Sequence, residues 1–335
     1  MNRIHNWKQD FAGRKILIIG DVMLDQYIHG HVERISPEAP VPIVLEQYRE
    51  WRLGGAANVA ANIHGLGSIP YMVTVIGNDA AGKHLRHQLQ QSNIGDAYLV
   101  VSSHRITTVK SRIVGNHQQM LRLDHETTQP LSTTDQHQLL HIATELLPQM
   151  DAVLFEDYDK GVISPALYDN IARKAQQLDI PILVDPKLRN FTAYQNSTLF
   201  KPNLKELRDG LGIEINSTPL DFEQLRQAVQ LLHETLHPHI AMITLSEHGI
   251  YATNYSEEYH IPAFVRKVAD VSGAGDTTIA TTTLALLAGY SLHDILVISN
   301  AAAAAVCETP GVIPLNEQLM QRAIEIIEKY QNHDL

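Results

Sequence analysis

The segment Lys15–Gly20 reads Lys-Ile-Leu-Ile-Ile-Gly, a continuous apolar run too short for a helix and closed by a glycine. Such a run suits a strand buried on both faces of a parallel sheet, because a half-exposed strand would alternate. Comparable runs recur at residues 71–76, 152–155, 180–184 and 240–245. Helix-like stretches separate them at 56–66, 82–92, 134–147, 165–178 and 222–235, and another follows at 276–288. Strand and helix in alternation require crossover connections. The expected fold class is therefore α/β, a three-layer α/β/α sandwich around a mainly parallel central sheet.

Two regions break the alternation. Residues 25–53 carry Pro37, Pro40 and Pro42 among valines and tyrosines, and residues 104–124 contain an alternating stretch at 107–114 that suits a sheet with one exposed face. They are expected to form a small β-sheet lid outside the main sheet. Without a low-complexity linker or repeat, 1–335 reads as one domain with these lid segments inserted. The length alone would have suggested two domains.

Composition narrows the class. Hydrophobic residues make up 44% of the 335, enough for a large core. The formal net charge is −11, which disfavours nucleic acid and anionic membranes as partners. Eighteen histidines imply a surface charge that changes strongly below neutral pH. The single cysteine, Cys307, excludes an intramolecular disulfide and a multi-thiolate metal site, and its alanine-rich surroundings suit a small buried thiol. The N-terminus lacks the apolar core of a signal peptide, and the uncharged stretch 277–292 is too short to span a bilayer. A cytoplasmic protein is expected.

The sharpest constellation is Asp270-Val-Ser-Gly-Ala-Gly-Asp276, followed by an apolar helix-like run. Glycines let the backbone approach a ligand, and the first amides of a helix have no intrahelical partner, so together they make an anion site. Asp276 would cap that helix or face the ligand. A second glycine patch, Gly54-Gly55-Ala-Ala-Asn58, precedes another helix and suits either backbone contacts to a polyol or an ordinary turn. Single polar residues gather where strands end: Asp21 and Asp25, 157–161, 185–187, 203–206 and 244–249. In a parallel sheet such positions share the carboxyl edge, where ligands bind. Two features mislead. The run 77–84 matches a phosphate loop until His84 replaces the required Ser or Thr. The pairs His29/His31 and His237/His239 lack the context of a zinc site.

Taken together these residues resemble the phosphofructokinase-B/ribokinase family of sugar kinases. Gly54 to Asn58 match the family's first signature, Asp270 to Asp276 its second, Asn203 to Glu206 its Asn-x-x-Glu motif, and 77–82 its Gly-x-Asp-x-x-Gly turn. Within the family, Gly20 to Tyr27, Arg34 to Ile43, Asp157 to Gly161, Val184 to Lys187 and Lys201 to Asn203 are similar to heptose-7-phosphate kinases of lipopolysaccharide-precursor synthesis. The chain lacks the His-x-Gly-His of the nucleotidyltransferase often fused to them and resembles the kinase-only form. Leu188-Arg189 stand after Lys187 where that pattern has a glycine.

The resemblance implies transfer of the ATP γ-phosphoryl to the anomeric hydroxyl of D-glycero-D-manno-heptose 7-phosphate, a step toward ADP-heptose. Asp276 would be the base, and the amides of Gly273, Ala274 and Gly275 would stabilise the transferring phosphoryl. Asp25, Gly54, Gly55 and Asn58 would grip the sugar, with Asp21 as a further candidate. Lys187, Arg189, Arg112 and Lys160 are candidates for the sugar phosphate. Mg²⁺ would be held through water by Glu206 and Asn203. Thr244, Ser246, Gly249 and Asn300 would lie near the nucleotide. A monovalent cation such as K⁺ and a homodimer formed through the lid also follow from the resemblance. The alternatives are a kinase of the same fold acting on another small sugar, sugar phosphate or nucleoside, and a non-catalytic sugar- or nucleotide-binding regulator.

Overall fold

The computed structural model describes residues 2–116, 118–264 and 269–332. After helix α1 (Trp7–Phe11), strand β1 (Lys15–Gly20) leads into the two longest strands, β2 (Val22–Ile35) and β3 (Pro42–Gly55). Then follow α2 (Ala56–Gly65), β4 (Ile69–Gly77), α3 (Ala80–Gln91), β5 (Leu99–Ser102), β6 (Thr108–Gly115) and β7 (Gln118–His125). The middle of the chain holds α4 (Thr133–Leu146), β8 (Ala152–Glu156), α5 (Pro165–Gln177), β9 (Ile182–Asp185), β10 (Leu199–Phe200), α6 (Leu204–Leu211) and α7 (Phe222–Leu236). The last elements are β11 (Ile240–Thr244), β12 (Ile250–Thr253), β13 (Glu258–Ile261), α8 (Ala274–Leu287), α9 (Leu292–Cys307) and α10 (Glu317–Gln331).

Among the described residues the main sheet has nine strands in the order β13-β12-β11-β10-β9-β8-β1-β4-β5. The pairs from β11 to β5 are parallel, and β12 and β13 add an antiparallel edge. Alternate strand residues feed two cores. Ile16, Ile18, Leu154, Leu183 and Leu199 pack with α2, α8, α9 and α10, while Leu17, Ile19, Val153, Phe155 and Val184 pack with α4, α5 and α7. The fold class is thus the expected three-layer α/β/α sandwich.

The small sheet runs β3-β2-β6-β7. Its outer pairs are antiparallel, whereas β2 and β6 run parallel. It holds the two segments set apart in the sequence; His117, in the second, lies outside the described residues. β2 and β3 reach beyond the segment 25–53, because Val22 pairs with Gly55 and ties this sheet to the end of β1.

Several elements differ from the periodicity reading. The strand expected at 180–184 starts at Ile182, since Pro181 has no amide for the ladder and offers its carbonyl to the Val153 amide instead. Helix α9 is buried nearly all round, so its five consecutive alanines carry no amphipathic period. Cys307 at its end is buried and unpaired, with its thiol pushed up by burial.

Candidate active site

Helix α8 begins at Gly273, whose φ of 83° is the left-handed conformation that favours glycine. A Cβ there would also fall 2.9 Å from Asn58 Nδ2. The Ala274 amide donates to the Val271 carbonyl at 3.2 Å, so it is engaged within the turn, whereas the Gly275 amide has no backbone partner among the described residues. One turn in, Asp276 is buried with both oxygens oriented. Oδ2 accepts from Asn58 Nδ2 and Oδ1 from the Tyr158 hydroxyl, each at 2.7 Å. Burial raises its carboxyl from an ordinary 3.8 to about 6, against the two hydrogen bonds that favour the anion. This is a carboxylate held near neutrality, the range a general base needs. Asn58 is fixed in turn by Asn62, whose amide donates to the Asn58 carbonyl at 2.8 Å.

Beneath the start of α8 the carboxyl ends of β8, β9 and β10 place three ionisable side chains at one level. Glu156 is the register partner of Asp185, and the Lys201 amide bonds the Val184 carbonyl. Lys201 is buried and pairs with Asp185 at 2.7 Å. Its ammonium lies 3.9 Å from where a Gly275 Cβ would be, so a fixed cation faces the glycine turn. Tyr158 and Asp185 fall within the strand-end stretches expected from sequence, though without a role of their own, whereas Glu156 and Lys201 were not among the expected site residues. The available signal was parity: 156, 185 and 201 continue the inward alternation of Leu154, Leu183 and Leu199.

Toward the small sheet, Asp25 is buried and ion-paired with Arg112, whose guanidinium lies 5.2 Å from the Tyr27 ring centroid. Gly54 leaves room for that carboxylate, since a Cβ would fall 2.3 Å from Asp25 Oδ2. Gly55 takes φ 59° where the chain turns into α2. Asp25, Gly54, Gly55 and Asn58 thus line one wall. Asp21 differs: its carboxylate accepts the amides of Tyr158, Lys160 and Val162 at 2.9 to 3.1 Å, which anchors the loop that carries Tyr158. Burial, then the Asp157 charge, lifts its carboxyl to about 6.

The candidate phosphate-binding cations are engaged within the protein. Lys160 pairs with Glu126 at 2.8 Å, Arg189 donates to the Thr128 carbonyl at 2.6 Å, and Lys187 is ion-paired with Glu206. On the next strands, Asn203 and Glu206 form a reciprocal capping box at the start of α6: Asn203 Oδ1 accepts the Glu206 amide at 2.8 Å and Glu206 Oε2 the Asn203 amide at 2.9 Å. Thr244 bridges to Asn203, Ser246 takes φ 51°, and Gly249 takes φ 90° where a Cβ would strike the Ile261 carbonyl. A cleft of about 360 Å³ opens here between Asn203, Lys205, Arg208, Ser246 and His248. Asn300, on α9, donates its amide to the Pro262 carbonyl at 2.7 Å, and a Gly249 Cβ would fall 2.6 Å from the carbonyl carbon of the same residue.

Among the described residues no three acidic, histidine or cysteine side chains are placed to hold a metal directly. A divalent cation that keeps its waters still fits, because carboxylates such as Glu206 retain lone pairs beyond those already bonded.

A pfkB family carbohydrate kinase profile matches residues 14–319. The chain is 40% identical over 311 residues to the bifunctional protein HldE of Methylobacillus flagellatus, covering 92% of this chain and 63% of that protein. It is 39% identical over 298 residues to the bifunctional protein HldE of Helicobacter pylori strain P12, covering 89% and 64%. The chain therefore spans slightly under two thirds of the length of these relatives. Among solved structures, Escherichia coli phosphofructokinase-2 in complex with substrates and products superposes with a TM-score of 0.77 at 19% identity, covering 94% of this chain and 99% of that one. An Arabidopsis thaliana ribokinase with ribose and ATP gives 0.72 at 19%, covering 95% and 99%. The fold is ribokinase-like, and the chain belongs to the pfkB family of carbohydrate kinases, enzymes that transfer phosphate from ATP to a sugar.

Proposed function

We propose that this kinase phosphorylates the anomeric hydroxyl of D-glycero-D-manno-heptose 7-phosphate to give the 1,7-bisphosphate, a step toward ADP-heptose. The observation that carries the chemistry is Asp276: a buried carboxylate, poised near neutrality, at the start of α8 and bonded to the wall that Asn58 and Gly54 build. The choice of sugar rests on the similarity to HldE proteins across the kinase-like length.

In the reaction the acceptor oxygen would lie between Asp25 and Asp276. Asp276 takes the hydroxyl proton as the oxygen attacks the γ-phosphorus; the new O–P bond forms as the bond to the β-phosphate oxygen breaks and ADP leaves. The Gly275 amide and the Lys201 ammonium face the glycine turn, where they offset charge on the transferring group. Asn203 and Glu206 would hold waters of a magnesium ion, which supplies charge neutralisation on the phosphates. Ser246 and the cleft beside it would receive the nucleotide. Arg112, with one guanidinium nitrogen on Asp25 and further donors available, and Lys187 would meet the sugar phosphate.

The small sheet would act as a lid that keeps water from competing as acceptor. Its exposed Ile35, Leu45, Tyr48, Leu121 and Leu123 would be covered by a second copy of the chain in a homodimer. The enzyme would act in the cytoplasm; no helix among the described residues is long and apolar enough to cross a membrane.

ADP release with a panel of phosphorylated heptoses, pentoses, hexoses and nucleosides tests the assignment. The heptose 7-phosphate should give the highest kcat/KM. A higher value for another acceptor would replace the substrate, and no release with any would point to a binding regulator.

A further inference from the structure

At the base of the candidate site, Glu156 differs from the carboxylates of Asp276 and Glu206 beside it. It is 1% exposed, and its Oε2 is buried without a hydrogen-bond partner among the described residues. A buried polar atom left in that state costs about 1 to 3 kcal/mol, so such an atom calls for a partner that arrives later. The neighbouring oxygens are engaged. Both oxygens of Asp276 are bonded to Asn58 and Tyr158, those of Glu206 to Lys187 and the Asn203 amide, and Asp185 Oδ2 to Lys201.

The place of Glu156 follows from register. Gly20 and Asp185 are its partners on the two flanking strands, so all three project on the face that packs under α8. Gly20 lets the two strand ends approach closely: a Cβ there would fall 2.1 Å from the Glu156 carbonyl oxygen. The charged groups that act on Glu156 are Asp185 from β9, Asp276 from α8, and Lys201 and Lys187 from the following loops. With Glu206, which pairs with Lys187, four acids face two lysines, so this pocket has two negative charges in excess when all are ionised. Burial, then Asp185 and Asp276, pushes the Glu156 carboxyl well up toward its neutral form, whose carbonyl oxygen accepts a hydrogen bond without needing to ionise.

We propose that Glu156 is an outer-shell residue of the divalent cation used in phosphoryl transfer, accepting a hydrogen bond from one of that ion's waters through Oε2. The inference rests on the kinase reading above. Magnesium keeps several waters and meets proteins through few carboxylates, which suits a site without three direct ligands. Outer-shell partners of metal sites typically govern about 10- to 100-fold in metal affinity.

The test reads binding, not turnover. ADP affinity of the full chain is measured by titration calorimetry without metal and with Mn²⁺, and the ratio gives the gain due to metal. In Glu156→Met, an unbranched side chain of similar length with no oxygen acceptor, that gain should fall about tenfold or more, while metal-free ADP affinity stays within twofold of wild type. An equal gain in wild type and variant would overturn the proposal. If Glu156→Met fails to fold by circular dichroism, Glu156→Asp, which withdraws the carboxyl by one methylene, takes its place with the same two outcomes. A wild type that gains nothing from Mn²⁺ would instead remove the kinase reading, and the proposal with it.

Discussion

Replacing Asp276 with asparagine should make the protein more stable and nearly inactive. Its carboxyl sits at about 6 in the folded chain against an ordinary 3.8, and burial is the leading cause. At 1.36 kcal/mol per pH unit, the buried anion lowers stability by about 3 kcal/mol at neutral pH. The sign follows from linkage. The folded state binds more protons than the unfolded one between about 4 and 6, so stability falls as pH rises through that window and the full penalty is present above it. Asparagine carries no charge and keeps both neighbours, with Oδ1 facing the Asn58 amide and Nδ2 facing the Tyr158 hydroxyl oxygen. With an unfolding entropy of about 2.1 cal/mol/K per residue over 335 residues, the midpoint at pH 8 should rise by about 4 °C. At pH 4, where the folded aspartate is protonated and the unfolded one is about half ionised, the difference should shrink to under about 1 kcal/mol. Turnover should fall about 10²- to 10⁴-fold with the base removed. Scanning calorimetry at the two pH values and ADP release at pH 8 check both halves. A variant less stable than wild type at pH 8, or one that turns over within tenfold of it, would refute the reasoning.

Further outcomes follow from the same geometry. Tyr158→Phe removes a hydrogen bond that favours the ionised Asp276, so the acid limb of kcat/KM should move up from about 6 by about one pH unit; an unmoved limb would free Asp276 of that contact. Gly54→Ala places a methyl 2.3 Å from Asp25 Oδ2, and the acceptor KM should rise at least about tenfold with the ATP KM unchanged. Leu121→Lys with Leu123→Lys should shift sedimentation from dimer to monomer, and a monomeric wild type would count against the proposed small-sheet interface.

The layered fold was legible because buried parallel strands are uniformly apolar: β1 begins and ends where the run at Lys15–Gly20 does. Helix α9 was not, because an alanine-rich helix buried all round has no polar face to mark its period. Helix α6 was hidden differently. Asn203 and Glu206 were read for chemistry, while the same spacing is the start signal of a helix, and both descriptions apply to the same atoms. At the site, Asp276 and Asn58 each stood out beside glycines, although 218 positions apart. Glu156 and Lys201 did not, since their place comes from cross-strand register, which no local window contains. Asp21 reads from sequence as a ligand-facing carboxylate at a strand end, yet folding turns it onto the amides of its own neighbour loop.

The central claim is that phosphate passes from ATP to the anomeric oxygen of a heptose 7-phosphate. The most direct measurement is phosphorus NMR of the reaction with that acceptor. The account predicts a second sugar-phosphate resonance, split by the anomeric proton, that grows in step with ADP. ADP formed with inorganic phosphate alone, or a new resonance coupled to any other sugar proton, would contradict it.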